Sequence, residues 1–214
     1  MRGVFGLLAT LMLLASAALA DGDKAGRFDY YVLSLGWSPS WCALEGDRRV
    51  SDQCDPRHDF GFTLHGLWPQ FTVGWPSYCP TAERPPSRQM TADMADIMGS
   101  GGLAWHQWDK HGRCSGLSAR DYFALVRRAT GAIHLPEVFA GVNRELRIDP
   151  DVVEAAFIEA NPELTPDMMV TSCQRGDLVE LRICLTRSLD PMECDRETLR
   201  RECSLDAATL LPLR

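Results

Sequence analysis

Between Trp105 and Cys114 the chain reads WHQWDKHGRC, which sets two His, a Lys and an amide side chain within positions 106–111. An imidazole accepts and donates protons near neutral pH and an ammonium neutralises an anion, so the combination suits proton transfer beside a charged substrate. Wound as a helix at about 100° per residue from His106, the run puts Lys110 at roughly 40°, Gln107 at roughly 100° and His111 at roughly 140°. The four polar groups then share one arc. Trp108, Trp105 and Asp109 fall on the other side, where the indoles are expected to anchor the helix. A further imidazole stands on a different element. Phe60, Phe62 and Leu64 alternate with Gly61, Thr63 and His65, the pattern of a strand that carries His65 on its polar face and is expected to stop at Gly66 and Pro69.

Two imidazoles on separate rigid supports meet the needs of metal-free phosphoryl transfer. One accepts the proton of the attacking oxygen while the other, as imidazolium, protonates the leaving oxygen. Lys110 and His106 are spaced to neutralise charge that grows on the phosphoryl oxygens. In RNA the attacking group is the neighbouring 2′-hydroxyl, so no activated Ser or Cys is needed and attack gains from proximity.

The supporting elements follow from the rest of the chain. Residues 28–37 (FDYYVLSLGW) are rich in aromatic and branched side chains and read as a strand ending at Ser38-Pro39. A short helix is expected over 91–98, ending at Gly99, with Gly101-Gly102 as the turn into the His106 helix. Further helices are expected over 119–130 behind an Ser118 N-cap and over 150–160. Residues 169–173 and 178–185 read as a closing pair of strands, and 186–214 as loop and short helix. Trp37, Trp41 and Trp105 are assigned to packing and His58 and His134 to surface loops, while Trp75 and Tyr78 are candidates for substrate contact. Strands separated by centrally clustered helices predict one α+β domain, an antiparallel central sheet packed against helices.

Residues 1–20 read as a secretory leader: Arg2 precedes an apolar run over 4–14, and Ala18-Leu19-Ala20 gives a small-x-small cleavage pattern. The expected mature domain is 21–214, outside the cytosol. The leader's apolar run is shorter than the roughly 20 residues of a membrane span. All eight Cys lie beyond it, an even number that implies a disulfide framework; no Cys-x-x-Cys pair favours zinc, and sequence alone leaves about 105 pairings open. Net charge is −7 with His neutral, and one unit more negative without Arg2. That argues against tight, nonspecific binding to long nucleic acids, yet leaves room for a nucleic-acid substrate at a local positive site.

Phe62–Pro69 (FTLHGLWP) resembles the first signature of the ribonuclease T2 family, and His106–Cys114 (HQWDKHGRC) resembles its second. The likeness runs from Leu33–Cys42 (LSLGWSPSWC) to the Cys-rich tail. The resemblance implies a secreted or periplasmic endoribonuclease that cleaves single-stranded RNA through a 2′,3′-cyclic phosphate, with no metal and no cofactor. It implies His111 as general base on the 2′-hydroxyl, His65 as general acid on the 5′-leaving oxygen, His106 as phosphate holder and Lys110 as stabiliser of the pentacovalent transition state. Trp68 would stack a base, and Gln70 stands where base preference is often set. The same resemblance implies the pairings Cys42–Cys54, Cys79–Cys114, Cys173–Cys203 and Cys184–Cys194. A monomer with no membrane association and no obligate protein partner is expected.

Two positions depart from the family pattern. Gln107 stands where Glu is usual, so an anion that favours charged imidazoles is missing, and the acidic limb of the pH profile is expected to move lower. Arg113 stands where Thr is more usual. Two rival readings compete. A metal-dependent hydrolase would use His65, His106, Asp109 and His111, but helical zinc ligands prefer a spacing of four, and His106 and His111 diverge by about 140°. A non-enzymatic binding or signalling module on the same fold would explain Gln107, but not the joint presence of His65, His106, Lys110 and His111.

Overall fold

The computed structural model describes residues 23–214, so the leader expected over 1–20 lies outside the described residues. Strands β1 (Tyr30–Trp37), β2 (Phe62–Gln70), β3 (Leu146–Ile148), β4 (Met169–Gln174), β5 (Asp177–Leu185) and β6 (Ala208–Leu210) form one sheet. Their order is β2-β1-β5-β6-β3, with β4 also paired to β5. The α-helices are α1 (Ser38–Trp41), α2 (Arg88–Ala92), α3 (Ala95–Met98), α4 (Gly101–Lys110), α5 (Ala119–Gly131), α6 (Pro150–Ala160) and α7 (Arg196–Leu199). This is an α+β architecture. The sheet is antiparallel as expected except where β6 meets β5 in a single parallel pairing, Asp177 with Thr209.

Alternation along β1 divides the sheet into two faces. Tyr31, Leu33, Leu35 and Trp37 join the main core with Leu181 and Ile183 of β5, Tyr122 and Val126 of α5, and Phe157 of α6. Tyr30 and Val32 lie on the opposite face with Trp68, Cys184 and Cys194. β2 would send its residues to alternate faces without a break, but its register with β1 slips. Ser34 pairs with Gly66 and Leu35 with Leu64, which leaves His65 as the extra residue of a β-bulge. The bulge resets the alternation, so Leu64 and Leu67 both enter the core while Trp68 pairs with Val32 on the other face.

The strand expected to stop at Gly66 and Pro69 therefore runs on to Gln70. Pro69 is tolerated because β2 is an edge strand, where a missing N–H breaks no ladder on its outer side. The single helix expected over 91–98 is two short ones, α2 and α3. The intervening Asp93 carbonyl accepts from Arg127 Nη2 at 2.5 Å in place of a helical N–H. Gly101 and Gly102, expected to form a turn, are instead the first two residues of α4, because Ser100 caps the helix by accepting from the Leu103 N–H. A Cβ at Gly101 would sit 3.1 Å from the Thr91 carbonyl oxygen, so its smallness serves the α2–α4 contact. Ser118 caps α5, as its position predicts.

The eight cysteines form four disulfides, Cys42–Cys54, Cys79–Cys114, Cys173–Cys203 and Cys184–Cys194. Cys79–Cys114 ties the loop after β2 to the segment after α4, and the neighbouring Tyr78 N–H caps the helix by donating to the Lys110 carbonyl at 2.8 Å. Among the described residues no helix is long and apolar enough to cross a membrane.

Candidate active site

Helix α4 packs against β2, and the contact is built around Gly66. A Cβ there would fall 2.3 Å from Gln107 Oε1 and 2.4 Å from Trp68 Nε1, so only glycine admits both groups. Trp68 donates its indole N–H to Gln107 Oε1 at 2.6 Å. The His111 imidazole stacks on Trp68 at 5.2 Å between ring centroids, and the His65 ring meets the same indole edge-on at 5.1 Å. One aromatic side chain thus spaces the two imidazoles that the sequence placed on separate elements.

The polar arc expected on α4 is only partly open. Gln107 and His111 are buried, at 2% and 6% exposure, whereas His106 is exposed and Lys110 half-buried. Ala104 and Trp108, four residues apart, form the helix's buried stripe with Gln107. Trp105 lies one step round from them and is 46% exposed, so its expected packing role is corrected. His111 ends the helix rather than continuing it, with φ −118° and ψ −46°.

Burial and the nearby Lys110 cation push the His111 imidazole down to about 3, with His65 and His106 adding to the effect. His111 is therefore neutral at ordinary pH, and among the described residues its Nδ1 has no hydrogen-bond partner. His106 is also shifted downward, by burial and then by Lys110. His65 has a hydrogen-bond partner of its own. Its Nδ1–H donates to Glu180 Oε1 at 2.8 Å, and its side chain remains 41% exposed. Glu180, on β5, also accepts from the Ser34 hydroxyl and from Arg182 Nε at 2.6 Å. Burial raises the Glu180 carboxyl, but the His65 hydrogen bond and the Arg182 charge outweigh it and hold the group below the ordinary carboxylate range.

Two adjoining cavities share His65, Arg182 and Arg201 in their walls. The one of about 280 Å³ is lined by His65, His106, Lys110 and His111 together with Gln70 and Trp75. The other, of about 400 Å³, opens on the far side of His65 and takes in Trp41, Leu44, Leu103 and Gln174. Trp41, expected in packing, thus lines a cavity. The expected base platform at Trp68 is not an open one: the indole is 8% exposed, with His111 on its face and the Arg182 guanidinium 5.2 Å from its centroid. Trp75 is 44% exposed beside Arg201, and Tyr78 is 52% exposed. His58 and His134 are exposed and outside both cavities, as expected of surface residues. Among the described residues no three His, Cys, Asp or Glu side chains converge as a metal site would.

Glu180, Arg182 and Arg201 escaped the sequence reading. The alternation Glu180-Leu181-Arg182-Ile183 does show two charges on one face of a strand. Nothing local shows that this face meets His65.

The model of the ribonuclease T2 family matches residues 28–194. Over 118 residues the chain is 44% identical to a ribonuclease of Aeromonas hydrophila, covering 54% of this chain and 52% of that one. A probable ribonuclease of Haemophilus influenzae is 27% identical over 178 residues, covering 78% of this chain and 61% of its own length. The chain thus spans about half to three-fifths of the length of these two relatives. Among solved structures, trichomaglin, described as an S-like ribonuclease, superimposes with a TM-score of 0.67. The match covers 88% of this chain and 100% of trichomaglin at 19% identity, which shows a shared fold.

Proposed function

The chain belongs to the ribonuclease T2 family, and on that premise we propose that it is an endoribonuclease that cuts single-stranded RNA without a metal or other cofactor. His111, neutral at ordinary pH, takes the proton of the 2′-hydroxyl, whose oxygen attacks the adjacent phosphorus. His65, protonated at Nε2, gives that proton to the departing 5′-oxygen. The products are a 2′,3′-cyclic phosphate and a free 5′-hydroxyl. Lys110, Arg182 and, once phosphate is bound, His106 neutralise the charge on the equatorial oxygens. Gln107 has no titratable proton and serves by fixing Trp68. The nucleotide that supplies the 2′-hydroxyl lies in the His111 cavity, where Gln70 and the exposed Trp75 face it, and the leaving nucleoside lies beyond His65.

The observation that carries this reading is the pairing of unlike imidazoles across one indole: His111 buried and held neutral, His65 half-open and bonded to a carboxylate. Environments as unlike as these support His111 as the base and His65 as the acid. The leader read over 1–20 and four disulfides support a secreted or periplasmic location, with the domain over 21–214 acting as a monomer.

The test is incubation of purified protein with single-stranded RNA in excess chelator, followed by analysis of the ends. Cleavage that leaves 2′,3′-cyclic phosphates is expected. Cleavage abolished by the chelator would support a metal-dependent hydrolase, and none with or without added metal would support a binding module.

A further inference from the structure

We propose that Glu180 is the positioning residue of His65, holding its Nδ1–H so that Nε2 is the nitrogen that carries the proton to the leaving oxygen. The inference deepens the ribonuclease reading and rests on it for the identity of the leaving group.

The geometry starts at the bulge. Because Ser34 pairs with Gly66 and Leu35 with Leu64, His65 has no partner across the strand pair, and its direction is not fixed by the ladder. A side chain 41% exposed at such a position has rotamer freedom to lose, and something else must aim it. Glu180 does so from β5, two strands away from β2, across the face on which Gly36 pairs with Glu180 and presents no side chain. The carboxylate reaches His65 beside Ser34 of β1, whose hydroxyl donates to the same Oε1.

Glu180 is itself immobile. Its side chain is 8% exposed, Oε1 accepts from Ser34 and His65, and Oε2 accepts from Arg182. A carboxylate with donors on both oxygens stays ionised when buried, and a fixed anion favours the imidazolium over the neutral ring. The neutral ring, left after Nε2 has given up its proton, keeps Nδ1–H toward Glu180. No second proton transfer is involved: the proton lost from Nε2 goes to the 5′-oxygen and the Glu180 carboxylate remains an anion.

The same arrangement bears on Gln107. The sequence reading counts an anion missing from α4, where Glu is usual, and the structure supplies one to the other imidazole from β5. The other charged or titratable groups in the two cavities that His65 lines include the carboxylates Glu45 and Glu197 among several cations. Arg182 lies on β5, His106 and Lys110 on α4, and His111 at the end of α4, while Glu45 and Arg201 line the adjoining cavity. Of these carboxylates, Glu180 alone bonds the His65 ring.

The test uses the full protein with ¹⁵N,¹³C-labelled histidine. In the parent, neutral His65 is expected as the Nδ1–H tautomer; an Nε2–H tautomer would overturn the proposal without any variant. In Glu180→Gln the His65 midpoint is expected to fall, because the anion that favours the imidazolium is gone. RNA cleavage should then lose about tenfold to a hundredfold in kcat near pH 7, within what general acid catalysis supplies, with KM little changed. The loss should shrink toward acid pH as the basic limb moves down with the His65 midpoint. In a His65→Ala background, Glu180→Gln should cost nothing further in kcat. An unshifted His65 midpoint in folded Glu180→Gln, or an equal kcat loss at every pH, would overturn the proposal. A parent that cuts no RNA would instead overturn the ribonuclease reading, while its tautomer still decides the pairing.

Discussion

The Trp68 indole N–H donates to Gln107 Oε1 at 2.6 Å, and this bond joins β2 to α4 at the place where His65 and His111 flank a common ring. An amide oxygen can accept this bond from the same position as a carboxylate oxygen, without the added strength of a charge. Gln107 therefore keeps a positional task while giving up the charge. Trp68→Phe preserves an aromatic wedge but strands the buried Gln107 oxygen, at a cost of about 1–3 kcal/mol in stability. Denaturant unfolding should show this loss, and RNA cleavage should fall several-fold through kcat, because the spacing of the imidazoles is no longer fixed.

Gln107→Glu tests the missing charge directly. A carboxylate at this position can still accept from Trp68 and adds an anion beside His106 and His111. An anion favours the protonated imidazole, and the base must be neutral to act, so activity should be lost at a higher pH as the solution is acidified. The parent's acidic limb is expected to lie low, since burial and Lys110 hold His111 at about 3. In the variant the limb of kcat/KM should move up by roughly one unit. An unchanged profile would contradict this account of position 107.

The sequence made the helix that carries His106, Gln107 and Lys110 legible because its residues sit close together and its period is local. It could not show that His65 occupies a bulge, since the bulge exists only in the register between β2 and β1. It placed His65 on the polar face of a strand that it ended too soon, because Pro69 reads as a breaker until the strand is known to be at an edge. The carboxylate partner of His65 lies 115 residues away on a strand read only as half of a closing pair. The sequence reads Trp68 as an open base platform and Trp105 as a packing residue, and the structure reverses both exposures, since each depends on what packs over it. Local pattern fixes an element's type, and the neighbour decides which of its faces is buried.

Gly66→Ala probes how closely α4 approaches β2. The added methyl would meet Gln107 Oε1 at 2.3 Å and Trp68 Nε1 at 2.4 Å, both within van der Waals contact distance and both engaged in one hydrogen bond. Neither atom belongs to a free chain end, so relief requires α4 to move away from the strand. Overpacking of this kind costs about 1–3 kcal/mol. The expected result is a lowered midpoint of thermal unfolding together with a loss of RNA cleavage at least as large as that of Trp68→Phe. A variant with parental activity would show that the site does not depend on the close contact.

The buried His111 should also leave a mark on stability that is independent of catalysis. In the unfolded chain its imidazole titrates near 6.5, whereas in the folded protein burial and Lys110 hold it at about 3. Between these values the unfolded state binds a proton that the folded state does not, so stability falls as pH drops through that window. The loss attributable to this residue reaches at most about 5 kcal/mol, less where the folded structure relaxes. Other groups, among them Glu180, lose stability over part of the same range, so the contribution must be read as a difference between proteins. His111→Asn removes the titrating group and leaves a polar side chain of similar reach. Urea unfolding at pH 7 and pH 4 should show the variant losing less stability between the two than the parent, whatever offset the substitution causes at pH 7. Equal losses would mean that His111 is protonated in the folded protein at pH 4, and that burial does not keep it neutral.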